Sequence, residues 1–366
     1  MRASKAVANI GVVIHGPEVI DSGFALVALN LLEEYGKVTV VLGGTMGRVA
    51  AIDACIENRV DISQREPPSQ SVKRLQSTMD FVVLLNQAKT RETGLVFGSM
   101  VAAKAKPCKP LIQADFGGEF VTVLAGDAHP LAQRLSRNLE LELVDLPHPP
   151  QPILELPDGA VRRKLKGAMP GENISLNGIV IARALENEVE VVVRKGLVVE
   201  IKGAKPKMHG LEKLPPKVDL KTAILRSGDI RRTECTPRSM ERSGQEVTLI
   251  DHAAENTFEK AKGAGVVITV GDDTTAIAGD ILTRLGIPQI GIVDGDLDRL
   301  SHRTETPSGS IIIKVRPGFD DVVGRLAKKE IFKGKSRMLL NGRSTEDLVR
   351  KVKEIAGDNL LSERQF

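Results

Sequence analysis

Short apolar runs recur along the chain and alternate with segments whose apolar positions fall three and four residues apart. Residues 9 to 14 form one such run, which ends in His15-Gly16-Pro17-Glu18. Residues 24 to 32 then carry helical spacing at Phe24, Val27, Ala28 and Leu31, and residues 37 to 42 return as a second run. This predicts a βαβ unit. Gly43-Gly44-Thr45-Met46-Gly47 opens a helix over 49 to 57, and residues 81 to 85 give a third buried strand. The alternation continues with a helix near 92 to 105, a strand near 110 to 114, a helix after His129-Pro130 and a run over 139 to 144. A mainly parallel, doubly wound sheet follows.

The alternation breaks at residues 147 to 152, where Pro147, Pro149, Pro150 and Pro152 can neither continue a helix nor donate to a central strand. Beyond it, residues 174 to 184, 188 to 194 and 197 to 201 read as short β-runs divided by Asn187 and by Lys195-Gly196. From residue 246 the α/β alternation resumes: strands over 246 to 250, 265 to 270, 289 to 293 and 310 to 315, with helices over 253 to 262, 274 to 285, 320 to 327 and 345 to 355. The expected fold class is α/β, with two doubly wound, mainly parallel units flanking a small antiparallel β insert. The expected domains are a Rossmann-like unit over 1–147, a linker and β-rich module over 148–217, and an α/β domain over 218–366.

Composition narrows the partners. The chain has 366 residues, 42% of them hydrophobic, enough for two or three cores. Its 51 basic and 47 acidic residues leave a net charge of only +4, so bulk charge gives no support to nucleic-acid binding or membrane attachment. Tyr35 is the only tyrosine and tryptophan is absent, leaving few platforms for stacking single-stranded bases. Cys55, Cys108 and Cys235 are widely spaced and odd in number, as expected of reduced core or edge thiols. With no secretory leader pattern and no apolar run of about 18 residues, a cytoplasmic location is expected.

Candidate chemistry concentrates where two C-terminal strands end. Asp272 and Asp273 follow Gly271 at a strand-to-helix turn, and Asp294, Asp296 and Asp298 follow the next apolar run at alternate positions. Open α/β sheets bind ligands at such strand ends. An Asp before a helix also serves as a cap, worth about 1 kcal/mol, so capping and cation binding are both open readings. Five converging carboxylates repel one another, and a bound Mg²⁺ is the simplest offset. Gly271, Thr274 and Thr275 offer N–H groups and hydroxyls at the helix start for a phosphate, with Arg226 and Arg231 as basic partners. Asp280 is expected at the solvent border of the helix. The basic run over 162 to 166 reads as a solvated loop.

A second ligand loop is expected in the N-terminal unit, from His15, Gly16 and Glu18 together with Gly43, Gly44, Thr45 and Gly47, although the glycine pattern is neither a dinucleotide fingerprint nor a Walker A sequence. Asp115-Phe116-Gly117-Gly118-Glu119 ends another strand and adds acidic groups.

Three resemblances bear on these residues. Asp294-Gly295-Asp296 with the Gly271-Asp272-Asp273 turn resembles the toprim domain, whose Asp-x-Asp pair binds magnesium; where that domain carries a glutamate, this chain has Val270. Gly286-Ile287-Pro288 followed by Gly295-Asp296-Leu297-Asp298 is similar to thiamin and archaeal pterin pyrophosphokinases. Each likeness spans about 35 residues, and both imply metal-assisted phosphate chemistry. Over most of its length, notably residues 10 to 23, the chain resembles a family of uncharacterised proteins of methanogenic archaea, which supplies no catalytic residues to carry over.

The expectation is therefore a Mg²⁺-dependent protein binding a nucleotide or phosphorylated small molecule, with phosphoryl or pyrophosphoryl transfer as the reaction class. The alternatives are a toprim-like nucleic-acid-binding protein and a non-enzymatic ligand-binding or regulatory protein. Whether the chain is an enzyme, which substrate it takes and how it assembles do not follow from the sequence.

Overall fold

The computed structural model describes residues 8–43, 46–145, 152–228, 231–233, 236–238, 244–295 and 305–366, apart from the side chains of residues 64, 65 and 255. The chain divides into two compact units, Met1–Cys235 and Thr236–Phe366.

In the first unit β1 (Ala8–His15), α1 (Glu18–Asp21), α2 (Phe24–Glu33), β2 (Gly36–Gly43), α3 (Met46–Asp53), β3 (Asp61–Glu66), α4 (Pro68–Leu75), β4 (Phe81–Asn86), α5 (Arg91–Ala105), β5 (Leu111–Asp115), β6 (Phe120–Ala125), α6 (His129–Asn138) and β7 (Glu142–Leu143) build a seven-stranded sheet. Its order is β3-β2-β1-β4-β5-β6-β7. The first five strands are parallel, and β6 runs antiparallel to β5. Successive side chains of β1 feed opposite faces. Val12 and Ile14 join Leu29, Leu32 and Leu135 on one side, whereas Val13 joins Val72, Leu75 and Val101 on the other. Burial on both faces is why β1 reads as an unbroken apolar run. The edge strand β3, Asp-Ile-Ser-Gln-Arg-Glu, carries no such run and left no apolar signal. Cys55 and Cys108 are exposed and lie just beyond α3 and α5, at element ends rather than in the core.

The rest of this unit is antiparallel: β8 (Ile153–Glu155), β9 (Val161–Lys166), β10 (Asn173–Leu176), β11 (Ile179–Ala184), β12 (Glu188–Arg194), β13 (Leu197–Lys202), β14 (Ala204–Pro206), α7 (Met208–Glu212) and β15 (Leu225–Ser227). They form two four-stranded sheets, β13-β12-β9-β8 and β14-β11-β10-β15. The basic run expected as a loop is instead β9. Its lysines are matched across the ladder, Lys164 Nζ lying 2.8 Å from Glu188 and 3.0 Å from Glu190. Opposite charges on facing strands support the pairing that the dense charge hid from the apolar pattern. The proline-rich stretch over 147 to 151 falls outside the described residues.

The second unit contains β16 (Glu246–Asp251), α8 (Thr257–Ala261), β17 (Ala264–Val270), α9 (Asp272–Leu285), β18 (Gln289–Val293), β19 (Ile311–Val315), α10 (Asp320–Glu330), β20 (Arg337–Leu339), α11 (Thr345–Ala356) and β21 (Leu360–Gln365). Six strands order as β20-β16-β17-β18-β19-β21, the central four parallel and the two edges antiparallel. Ile268, Val270, Ile290 and Ile292 share a core with Val323 and Ala327 of α10 and Val349 and Val352 of α11. On the opposite face Thr269 Oγ1 hydrogen-bonds Thr275 Oγ1 of α9 at 2.9 Å, and a Cβ added at Gly291 would meet the Thr275 methyl at 2.5 Å. Helices α9 and α10 therefore leave the strand ends toward opposite faces. That divergence opens the kind of crevice in which α/β sheets bind ligands.

Candidate metal centre

A glycine with positive φ lies shortly before each helix that flanks the crevice. Gly271 (φ +97°) precedes Asp272-Asp273, and Gly318 (φ +79°) precedes Phe319-Asp320-Asp321. A left-handed glycine turns the chain sharply from strand to helix, which sets the first-turn carboxylates at the strand ends. One oxygen of Asp272 accepts from the Asp294 amide at 3.0 Å, and its carboxylate also accepts from Gly295 N at 3.1 Å. Asp294 Oδ2 in turn accepts from Gly318 N at 2.7 Å. Carboxylate-to-backbone bonds thus fasten the loop after β18 to the start of α9, and the loop before α10 to the loop after β18.

Asp272, Asp294 and Asp320 come together here, all three buried, with one ligand oxygen from each lying within 4.8 Å of the others. Burial pushes the Asp272 carboxyl up to about 6, the neighbouring Asp294 carboxyl pushes the same way, and the Gly295 amide opposes them. Two carboxyl groups this close share a proton or a cation. In an octahedral Mg²⁺ shell neighbouring oxygens are about 3 Å and opposite ones about 4 Å apart, so three aspartate oxygens within 4.8 Å of one another would close in around the ion.

The other residues singled out from the sequence are placed as follows. Asp273 lies in the first turn of α9, outside the convergent group. Thr274 and Thr275 are buried, and Thr275 spends its hydroxyl on Thr269. Asp296 and Asp298 lie outside the described residues. Asp280 is not at the solvent border: it is buried, with Arg284 Nη1 at 2.6 Å one turn along the helix. That ion pair is what allows both charges inside.

Arg226 lies on β15 of the first unit. Arg231 is held there by Asp21 (2.5 Å) and Asp53 (2.7 Å). In the expected second ligand loop, His15 Nδ1 lies 2.8 Å from Gly43 O and its ring stacks on Phe97 with centroids 4.2 Å apart. Burial lowers its pKa. Gly16 (φ +84°) makes the turn after β1, Glu18 pairs with Arg232 at 3.0 Å, and Gly47 is buried in α3. Gly44 and Thr45 fall outside the described residues. Asp115 is fully buried, accepting from Gly118 N at 2.8 Å, Ala88 N at 3.1 Å and Asn86 Nδ2 at 2.6 Å. Its task is to hold the turns after β4 and β5.

Sequence reasoning missed Asp320, whose signal was present: an Asp-Asp pair opening the helix that follows a strand, two residues after a glycine. It also missed Lys314 on β19, whose Nζ would lie 2.6 Å from a Cβ built on Gly295. Asp251, His252 and Asp321 form a further group of potential ligands.

Set against known proteins, the chain is 40% identical over 369 residues to the uncharacterized protein MJ0065 of Methanocaldococcus jannaschii, an alignment covering 98% of this chain and 99% of that protein. The model of one family matches residues 12–335. The chain belongs to that family, described as an uncharacterized protein conserved in archaea (DUF2117).

Proposed function

We propose that the second unit binds Mg²⁺ through Asp272, Asp294 and Asp320 and, with it, a nucleotide or other phosphorylated small molecule, the reaction class being phosphoryl or pyrophosphoryl transfer. One observation carries the reading: three buried carboxylates, from the first residues of α9 and α10 and from the loop after β18, converge where the two helices diverge from the sheet. Mg²⁺ held by these carboxylates would supply positive charge to offset that of a phosphate. The chain's own part is to fix the carboxylates by the backbone bonds from Asp294, Gly295 and Gly318. Lys314, beside Gly295, supplies an ammonium for an anionic ligand.

A second reading keeps the carboxylates structural, as a proton-sharing set that locks the strand-end loops without catalysis. The same backbone hydrogen bonds favour it. The test is thermal unfolding with and without millimolar Mg²⁺ or Mn²⁺ in wild type, Asp272→Asn and Asp320→Asn. The metal reading expects a higher Tm in wild type only, because a ligand binding the folded state stabilises it by mass action. An unchanged wild-type Tm, with no nucleotide binding by calorimetry, leaves the loop-locking role.

A further inference from the structure

The parallel sheet of the first unit has a strand-end crevice of its own. Its strand order, β3-β2-β1-β4-β5, reverses direction between β1 and β4. The helices that follow these strands leave toward opposite faces: Leu29 and Leu32 of α2 pack with Val12 and Ile14, whereas Val101 of α5 packs with Val13 and Leu84. Such a reversal is where open α/β sheets take ligands, outside the carboxyl ends of the strands. Four strands end there in one row, Gly43 beside His15, His15 beside Asn86 and Asn86 beside Asp115. We infer that this crevice binds a small organic anion that also carries a hydroxyl or N–H donor, with Arg226 taking the negative charge and His15 Nε2 accepting from the donor.

His15 supplies the acceptor. Gly43 O lies 2.8 Å from Nδ1 and can only accept, so Nδ1 holds the proton. Burial lowers the imidazole pKa and keeps the ring neutral, which leaves a lone pair on Nε2. Among the described residues no hydrogen bond reaches that nitrogen; the other contact of the ring is its stack on Phe97, with centroids 4.2 Å apart. His15 is half-buried, not sealed in the core as Asp115 is.

The cation comes from the antiparallel module. Lys89, three residues beyond Asn86, donates to Ser227 O at 3.1 Å and to Glu172 at 2.7 Å, which lays β15 against the loop after β4. Arg226, the middle residue of β15, is close enough to His15 for its charge to lower the imidazole pKa further. The acidic neighbours are already matched: Glu18 pairs with Arg232 at 3.0 Å, and Asp115 accepts from Asn86, Ala88 and Gly118. An incoming anion therefore meets a guanidinium beside a neutral acceptor, and a guanidinium suits carboxylate and phosphate alike. The inference concerns the first unit and stands independently of the proposed Mg²⁺ site.

Calorimetry on the full chain compares two pairs of probes that differ only in a hydroxyl: lactate with propionate, and 2-hydroxyethyl phosphate with ethyl phosphate. The expected result is binding of at least one pair, which tells a carboxylate ligand from a phosphate one. Its hydroxyl-bearing member should bind about tenfold more tightly, the worth of one hydrogen bond, and should move the Nε2 resonance of His15 in wild type. His15→Asn keeps a donor for Gly43 O and loses Nε2, so the hydroxyl preference should vanish while both members still bind. Arg226→Gln should weaken both members about tenfold or more, and Asp272→Asn neither. Failure of all four probes to bind at millimolar concentrations, equal affinity within each pair, or a hydroxyl preference that survives His15→Asn overturns the inference.

Discussion

The strand ends of the two parallel sheets handle acidic residues in opposite ways. In the first unit Asp21 and Asp53, each with a side chain 4% exposed, share the guanidinium of Arg231, and Arg232 holds Glu18. In the second unit Asp272 takes its hydrogen bonds from two backbone amides and faces the carboxyl of Asp294. One arrangement carries its countercharge within the chain. In the other, burial and a neighbouring carboxyl raise the pKa of Asp272, which favours a proton or a bound cation. A buried aspartate is therefore not by itself a sign of a site: Asp21 and Asp53 have a guanidinium beside them, whereas Asp272 is raised first by burial and further by the Asp294 carboxyl.

The largest effect should come from removing the built-in countercharge. Arg231→Ala leaves Asp21 and Asp53 buried without the guanidinium, and breaking a buried ion pair from one side costs about 3–5 kcal/mol. Denaturant unfolding of wild type and variant gives this directly, through the midpoint at unchanged slope. A loss below about 1 kcal/mol, the level of exposed surface pairs, would mean that the arginine is incidental and the comparison false.

The sequence made the buried architecture legible and left the charged parts obscure. Strands covered on both faces, such as β1, β4 and β17, announce themselves as apolar runs, and the breaks at Gly271 and Pro288 bound their elements. The edge strand β3 and the strand β9 stayed hidden because their side chains are polar, and their stability comes from pairing partners distant in sequence. At the site, Asp272 and Asp294 were read correctly as lying at strand ends. Asp320 was not grouped with them, because its approach depends on α10 crossing to the opposite face from α9. Sequence proximity sets Arg226 and Arg231 beside the C-terminal half; in the fold β15 and the Arg231 ion pairs belong to the first unit.

A smaller effect separates the units by their response to Mg²⁺. At a concentration one hundred times Kd, binding to the folded form adds about 2.7 kcal/mol. Native-state hydrogen exchange should show the added protection in β17 and β18 and none in β1 and β4. Equal protection of both sheets, or protection that persists in Asp294→Asn, would break the assignment of the cation to the second unit.

The smallest effect is the pH dependence that Asp272 contributes. An aspartate held at about 6 in the folded protein and near 3.8 when unfolded keeps its proton in the native state over that interval. The folded chain then binds more protons than the unfolded one, so stability falls as pH rises. The contribution is complete below about 3.8 and is lost as pH passes through about 6. It amounts to at most about 3 kcal/mol, and solvent screening reduces it to about 1–2 kcal/mol. Other carboxyls oppose the trend, among them Asp251, lowered by its hydrogen bond to His252. The measurable quantity is therefore the difference in unfolding free energy between wild type and Asp272→Asn across pH 4 to 7, without metal. Asparagine keeps a carbonyl acceptor for the Asp294 or Gly295 amide but has no charge to lose, so the variant should gain on wild type as pH rises, and Mg²⁺ should erase the gain by stabilising the ionised wild type. A difference that stays flat across the range would mean that neither burial nor the Asp294 carboxyl raises Asp272 in the folded chain, and with it would go the reason for a cation at this crevice.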